Sequence, residues 1–187
     1  TITGDRAFVA GCDARLHIID LARGKALNKV DLESYTGCTA AVLGSMAFVG
    51  TEGRTFFGID WQQAKVVWKY ENAEHGEPFR SSAAVTADLV VVGSQDKRLH
   101  ALDPKTGKLL WTFATRGRVD SSPVIVADRI FVGSTDGRVY GVDRKTGQQV
   151  WQFQAGGKVL ASPAVAAGRL LLGTDKGNLY CWGERRG

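Results

Sequence analysis

One signature returns forty residues after itself: Ala101, Asp103, Thr106, Gly107 and Trp111 are followed by Gly141, Asp143, Thr146, Gly147 and Trp151. A period of that length, built from short apolar runs, requires stacked units, none of which buries its apolar face alone. The register holds at other positions. RAFVAG from Arg6, MAFVG from Met46, LVVVG from Leu89, IFVG from Ile130 and LLLG from Leu170 fill one slot. Ile2, Val42, Val85, Ile125 and Val165 are then equivalent, spaced 40, 43, 40 and 40 residues apart. The three extra residues fall in 71–80 (ENAEHGEPFR), a single enlarged loop.

Within a unit the apolar runs are short, rich in Val, Ile, Leu, Phe and Tyr, and separated by turn residues, which predicts strands. In the third unit they cover residues 83–86, 89–93, 98–102 and 109–113. The fourth unit places Asp136-Gly137 in its second connection, a hairpin signal because a primed turn needs positive backbone angles. Each unit therefore reads as a four-stranded antiparallel meander, and about forty residues per such sheet is the size of a β-propeller blade. No segment sustains a helical period. The expected fold is one all-β domain over residues 1–187: an incomplete blade at 2–38, blades at 39–81, 82–121 and 122–161, and an incomplete blade at 162–187.

The turn between third and fourth strands has a direct chemical reading. Asp20, Asp60, Asp103 and Asp143 end third strands, where a carboxylate accepts amide hydrogen bonds from the turn that follows. Gly24, Gly107 and Gly147 then supply the positive backbone angle. Trp68, Trp111 and Trp151 sit on fourth strands, where a large flat side chain buries area against the next blade. Asp60, Trp68, Asp103, Gly107, Trp111, Asp143, Gly147 and Trp151 are thus expected to dock one blade on another.

The pattern AxDxxTGxxxW, intact at 101–111 and with Gly for Ala at 141–151, resembles the tryptophan-docking repeat of PQQ-like propellers. That family includes quinoprotein alcohol dehydrogenases, whose propellers bind pyrroloquinoline quinone and calcium, and non-catalytic relatives of the BamB type in bacterial outer-membrane assembly. The resemblance implies a periplasmic or cell-envelope location, although no targeting signal stands in this sequence. Blade one departs with Asn28 in the tryptophan position and Arg23-Gly24 for Thr-Gly; blade two has Gln63-Ala64 but keeps Trp68. These two blades read as degenerate in the docking motif, which leaves their packing open. PQQ-like propellers usually carry seven or eight blades. The four and a half present here are therefore expected to form an arc of a longer parent or one completed by another chain, a closed five-bladed ring being the alternative.

Residues of catalytic type are few. His17 and His100 share a repeat position with Phe57, Tyr140 and Tyr180, which indicates a ring selected for packing, and His75 stands alone in the enlarged loop. Most aspartates belong to turns. No phosphate-binding loop, nucleophile elbow or zinc spacing is present. Cys12 and Cys38 fall on one side of the fold, so a bridge between them stays open. Cys181, equivalent to Ala101 and Gly141, is expected to pack as a small buried group. The resemblance implies what a quinone and calcium site would need: a Glu, an Asn and an Asp aimed into the central funnel, a stacking tryptophan, and a vicinal cysteine pair. Glu74, Glu77 and Trp61 are the candidates, and Trp61 lies in a turn on the far side from the funnel. No catalytic, cofactor-binding or metal-binding residue is therefore assigned.

Charge gives the remaining signal. The net charge is +5, and Arg15, Arg98 and Arg138 each open a third strand. With Arg54, Arg80 and Arg118 in loops on the same side, they form a candidate basic rim that would steer an acidic protein or an anionic membrane surface. The alternative is a set of solvated turns whose charges keep edges soluble. Nucleic acid is disfavoured because the aromatic residues lie within strands, not among the arginines. The function expected is a non-enzymatic protein-interaction scaffold, with a fragment of a quinone-dependent alcohol dehydrogenase as the alternative.

Overall fold

The computed structural model describes residues 1–183 of the chain. Every regular element among them is a β-strand, and strands consecutive in sequence pair antiparallel into five sheets. The first sheet comprises β1 (Ile2–Thr3), β2 (Arg6–Ala10), β3 (Arg15–Asp20) and β4 (Lys25–Asp31). The second comprises β5 (Ala41–Leu43), β6 (Met46–Gly50), β7 (Thr55–Asp60) and β8 (Lys65–Glu71). The third contains β9 (Ala84–Thr86), β10 (Leu89–Ser94), β11 (Arg98–Leu102) and β12 (Leu109–Ala114). The fourth contains β13 (Val124–Val126), β14 (Arg129–Gly133), β15 (Arg138–Asp143) and β16 (Gln149–Gln154). Three strands make the fifth: β17 (Ala164–Ala166), β18 (Arg169–Gly173) and β19 (Leu179–Gly183). These are about four and a half propeller blades; the last four residues of the fifth unit lie outside the described residues.

A meander sheet is apolar on both faces when it is sandwiched, so the core sits between blades. Phe8, Leu16 and Ile18 of blade one share a buried cluster with Ala47, Val49, Phe57 and Ile59 of blade two. Phe48, Phe56 and Trp68 of blade two share the next with Val90, Val92 and Leu102 of blade three. In blades two, three and four a glycine stands at or next to the end of the second strand for a steric reason. A Cβ on Gly50, Gly93 or Gly133 would collide with Phe79, Val119 or Val159, the apolar residue that each inter-blade link drops into the core. Links are clamped from both sides: Phe79 N donates to Thr51 O of the blade behind, and Pro78 O accepts from Gln95 N of the blade ahead.

Serines belt the inner edge at the same forty-residue spacing. Ser82 Oγ accepts from Thr39 N, Ser122 Oγ from Ser82 N and Ser162 Oγ from Ser122 N, at 2.9 to 3.0 Å.

A bulge interrupts the pairing of third and fourth strands at one repeat position, between Ile18 and Ile19, Gly58 and Ile59, Ala101 and Leu102, and Gly141 and Val142. It kinks the strand just before the turn aspartate. Asp103 Oδ1 then accepts from Lys105 N, Thr106 N and Thr106 Oγ1 at 2.8 to 2.9 Å, and Asp143 Oδ1 repeats this with Lys145 and Thr146. The Thr106 hydroxyl and amide hold the Asp103 carboxyl below its ordinary range, and the Thr146 amide and hydroxyl do so for Asp143. Gly107 and Gly147 both adopt φ of +71°.

One expectation needs correction, and two open points are answered. Cys181 is exposed, because β19 is the outermost strand of a three-stranded sheet and nothing among the described residues covers it. Cys12 and Cys38 are both free: Cys12 is exposed, whereas Cys38 is buried with its Sγ hydrogen-bonded to Gly50 O and Thr36 Oγ1. Blades one and two are not loosely packed, since their shared cluster holds Leu16, Leu32, Ala47, Phe57 and Ile59 at 0% exposure.

Candidate functional site

Connections between second and third strands, together with the links between blades, make up one face of the arc. The enlarged loop, residues 71–80, stands on it at the junction of blades two and three. Insertions in a rigid scaffold are where contacts with partners concentrate. This loop is anchored at both ends. Phe79 is buried, with its ring 5.7 Å from Phe56 and 5.6 Å from His100. Arg80 donates from Nε and Nη2 to the two carboxylate oxygens of Glu52 at 2.6 and 3.0 Å.

At the entry to the loop lies a buried polar network. The side chains of His100 and Asp96 are fully buried, with His100 Nε2 2.9 Å from Asp96 Oδ2. Tyr70 Oη lies 3.0 Å from His100 Nδ1, and Asn72 Nδ2 donates to Asp96 Oδ2 at 2.7 Å. An ionised Asp96 accepts only, so the network assigns the proton to Nε2 and leaves Nδ1 to accept from the phenol. Burial pushes the Asp96 carboxyl up, but the hydrogen bonds from His100, Asn72 and the Arg98 amide outweigh it and hold the group below the ordinary range. Burial, then the Asp96 charge, raises Tyr70 to about 12. Blade two supplies Tyr70 and Asn72, and blade three supplies Asp96 and His100. The network therefore ties the base of the loop across the junction.

Two grooves open around the loop. One of about 440 Å3 is lined by His75, Glu77, Gln95, Lys97, Arg98 and Thr115. The other, about 260 Å3, is lined by Tyr70, Asn72, Glu74, His75, Arg98 and Thr112. Arg98 and His75 border both. Acidic, basic and neutral polar side chains share these walls, a chemistry suited to a polypeptide segment carrying both charges.

The candidate rim arginines all stand on this face, but they do not form one electropositive band. Arg15 and Arg54 are exposed and Arg98 and Arg138 half-buried. Arg80 is spent on Glu52, and Arg118 lies 3.8 Å from Asp120. Glu71, Glu74, Glu77, Asp96 and Asp136 share the same loops, so the face is mixed in sign. Glu74 and Glu77 belong to the enlarged loop on this face. Trp61 lies in the turn between β7 and β8 on the opposite face, with its ring 5.3 Å from Phe8 and its Nε1 donating to Gly44 O. Among the described residues no three of His, Cys, Asp and Glu converge as a metal site.

Sequence reading passed over the network, although a signal existed. His17 and Tyr140 bond Asp13 and Asp136 four residues earlier, as His100 bonds Asp96, whereas Phe57 is preceded at that distance by Gly53. Three of the four polar rings come with an aspartate; Tyr180 has Lys176 at that distance, and its hydroxyl accepts from Gly156 N instead.

The docking residues lie between blades. Trp68 Nε1 donates to Pro104 O at 3.0 Å, and a Cβ on Gly107 would lie 2.6 Å from its ring. Trp111 Nε1 donates to Arg144 O at 3.2 Å, and a Cβ on Gly147 would lie 2.7 Å from that indole. Trp151 is half-buried against Phe153 and Trp182.

A family model described as outer membrane protein assembly factor BamB matches residues 1–112 and 73–187. Among solved structures, BamB from Moraxella catarrhalis aligns with a TM-score of 0.82 at 24% identity, over 96% of this chain and 58% of the other. The computationally designed protein Ika8 aligns with a TM-score of 0.88 at 14% identity, over 98% of this chain and 57% of the other. A chain of the mitotic checkpoint complex gives 0.85 at 14%, covering 97% and 58%. These likenesses speak for fold, and the chain spans under two thirds of the length of each of these structures. No curated protein matches it.

Proposed function

The chain belongs to the family of the outer membrane protein assembly factor BamB, and from that premise we propose that it is a non-enzymatic scaffold presenting its loop face to protein partners in outer-membrane protein assembly. The observation that carries this reading is the enlarged loop held rigid across two blades, with Phe79, the Arg80–Glu52 pair and the Tyr70–His100–Asp96–Asn72 network fixing both its ends. A preorganised loop loses little entropy on binding. The mixed charge of its grooves selects partners by complementarity. The periplasmic side of a bacterial envelope is the location proposed with it, and further blades beyond this arc are proposed to complete the ring.

Photo-crosslinking tests the reading. A photoreactive residue at His75 or Glu77 of the full-length parent should capture a protein of the outer-membrane assembly machinery, and one at Lys105 on the opposite face should not. Equal capture from both positions rejects the loop as the contact. The proposal also holds that the chain works without a quinone, because Trp61 lies on the face opposite Glu74 and Glu77 and the three candidates do not converge. Stoichiometric binding of pyrroloquinoline quinone with calcium by the full-length parent, with dye-linked alcohol oxidation, would overturn it.

A further inference from the structure

The face opposite the enlarged loop is built from short turns, and its charge follows the repeat. Lys25, Lys65 and Lys108 occupy one equivalent position just after the turn, while Lys105 and Lys145 share a second within it; all five are exposed. Among the described residues none of them takes part in an ion pair. Most carboxylates on this face are engaged by the protein's own groups, although Asp88 and Asp128 keep side chains 72 and 77% exposed. Asp103 and Asp143 are wrapped by their own turns, Asp20 accepts from the Arg23 amide and pairs with Arg6 at 3.3 Å, and Asp88 pairs with Arg144.

An apolar series accompanies the lysines. Leu27, Val67 and Leu110 follow two residues after Lys25, Lys65 and Lys108, and Val150 holds the same position in the fourth blade. They are 43, 49, 49 and 50% exposed on the outermost strands. A base and an aliphatic side chain thus recur together at the outer corner of successive blades. Both halves of an interfacial membrane signature are present, apolar area together with attraction for anionic headgroups.

Geometry decides between a lipid surface and a protein. Repeat-equivalent positions around a propeller axis lie at one height, so the lysines define a plane. A planar anionic surface meets all of them at once, whereas an acidic protein would need a matching repeat. We infer that this face docks on an anionic lipid surface, with the lysine ammoniums on headgroup phosphates and the aliphatic corners at the headgroup boundary. The inference does not rest on the scaffold reading, which uses the other face, so either stands if the other fails.

Vesicle flotation tests it, with phosphatidylcholine mixed with phosphatidylglycerol against phosphatidylcholine alone. The full chain should float with the mixed vesicles only, and less as salt is raised. Replacing Lys25, Lys65, Lys105, Lys108 and Lys145 together by Ser should lower the partition coefficient at least about tenfold, since one lysine near such a surface is worth roughly fivefold. A control loses the same charge from the loop face, as Arg54→Ser, Lys97→Ser, Arg116→Ser, Lys158→Ser and Lys176→Ser, and should keep its binding. Equal losses in both variants would reduce the effect to net charge and overturn the inference, as would flotation with phosphatidylcholine alone or no flotation. Single Lys→Ser variants, read as a graded series, keep the test decisive should the combined variant unfold.

Discussion

The junction of blades one and two solves the same packing problem as the junctions that follow it, but from the opposite side. Between blades two and three, and again between three and four, a tryptophan on the outer strand reaches forward onto the glycine turn of the next blade. Between blades one and two, Asn28 stands exposed where that tryptophan belongs. Trp61, in the turn of blade two, instead reaches back to Phe8. Neighbouring positions have changed with it. Gly58, Ala101 and Gly141 face a tryptophan across the ladder, whereas Ile18 faces Asn28. Ala64 replaces the turn glycine and keeps the left-handed backbone, at φ 51°. With no indole above it, a Cβ there is tolerated. The departures form one compensated set, so the first junction is an alternative solution and not a decayed one.

The comparison breaks most directly at Trp68, which is 8% exposed. Trp68→Ala should cost about 4 kcal/mol, the range for emptying an aromatic core site. Asn28→Ala should stay within about 0.5 kcal/mol, as for an exposed position without a buried role. Urea unfolding of the two variants measures both. A loss at Trp68 as small as that at Asn28 would show that the forward indole holds nothing.

The turn residue sharpens it. Gly107→Ala adds left-handed strain of about 1–2 kcal/mol and a Cβ against the Trp68 ring, for a total of about 3 kcal/mol with overpacking included. In a Trp68→Ala background only the backbone part should remain, leaving a coupling of about 1–2 kcal/mol in a double-mutant cycle. Ala64→Gly should leave stability within about 1 kcal/mol, because relief of strain offsets the entropy glycine loses on folding. A large penalty there would mean that the Ala64 methyl group carries packing of its own.

A third difference is polar. The Asp96–His100–Tyr70–Asn72 network bridges blades two and three, whereas His17 and Asp13 are bonded within blade one. Because the folded carboxyl of Asp96 titrates below its ordinary 3.8, its ionised form stabilises the fold. That contribution is complete above the unfolded value and fades as pH falls through the folded one. Asp96→Asn should therefore cost about 2 kcal/mol at neutral pH, the order for a hydrogen bond to a charged group, and the gap from the parent should close on acidification. A gap independent of pH would show that shape, not charge, is what Asp96 contributes.

What the sequence made legible follows from the length of each pattern. A forty-residue period repeated across the chain identifies the strands and their order, because every unit must bury the same faces. The turn aspartates were readable for the same reason. The reversed junction was not, since Asn28, Ala64, Trp61 and Ile18 look like four separate departures until Phe8 is seen under the Trp61 ring. Glycines at or next to the ends of second strands were visible as a pattern, but their reason, Phe79, Val119 and Val159, comes from links whose register no short motif marks. On the loop face, the enlarged loop was evident from its three extra residues. The mixed sign of the rim was hidden because arginines recur at equivalent positions, while Glu52, Glu74 and Glu77 do not.

The smallest effect separates the two parts of the reversed contact. Trp61 gives the junction an edge-on ring at 79° to Phe8 and one hydrogen bond, from Nε1 to Gly44 O at 2.9 Å. Trp61→Phe keeps a ring there and removes the bond. In a turn that water reaches, Gly44 O finds another donor, so the loss should be about 0.5 kcal/mol. Trp61→Leu removes the quadrupole contact as well, which adds about 0.5–1.5 kcal/mol. Thermal unfolding of the two variants beside the parent orders these terms. If Trp61→Phe falls as far as Trp61→Leu, the hydrogen bond and not the ring closes the first junction, and it would then resemble the forward tryptophans only in its indole N–H.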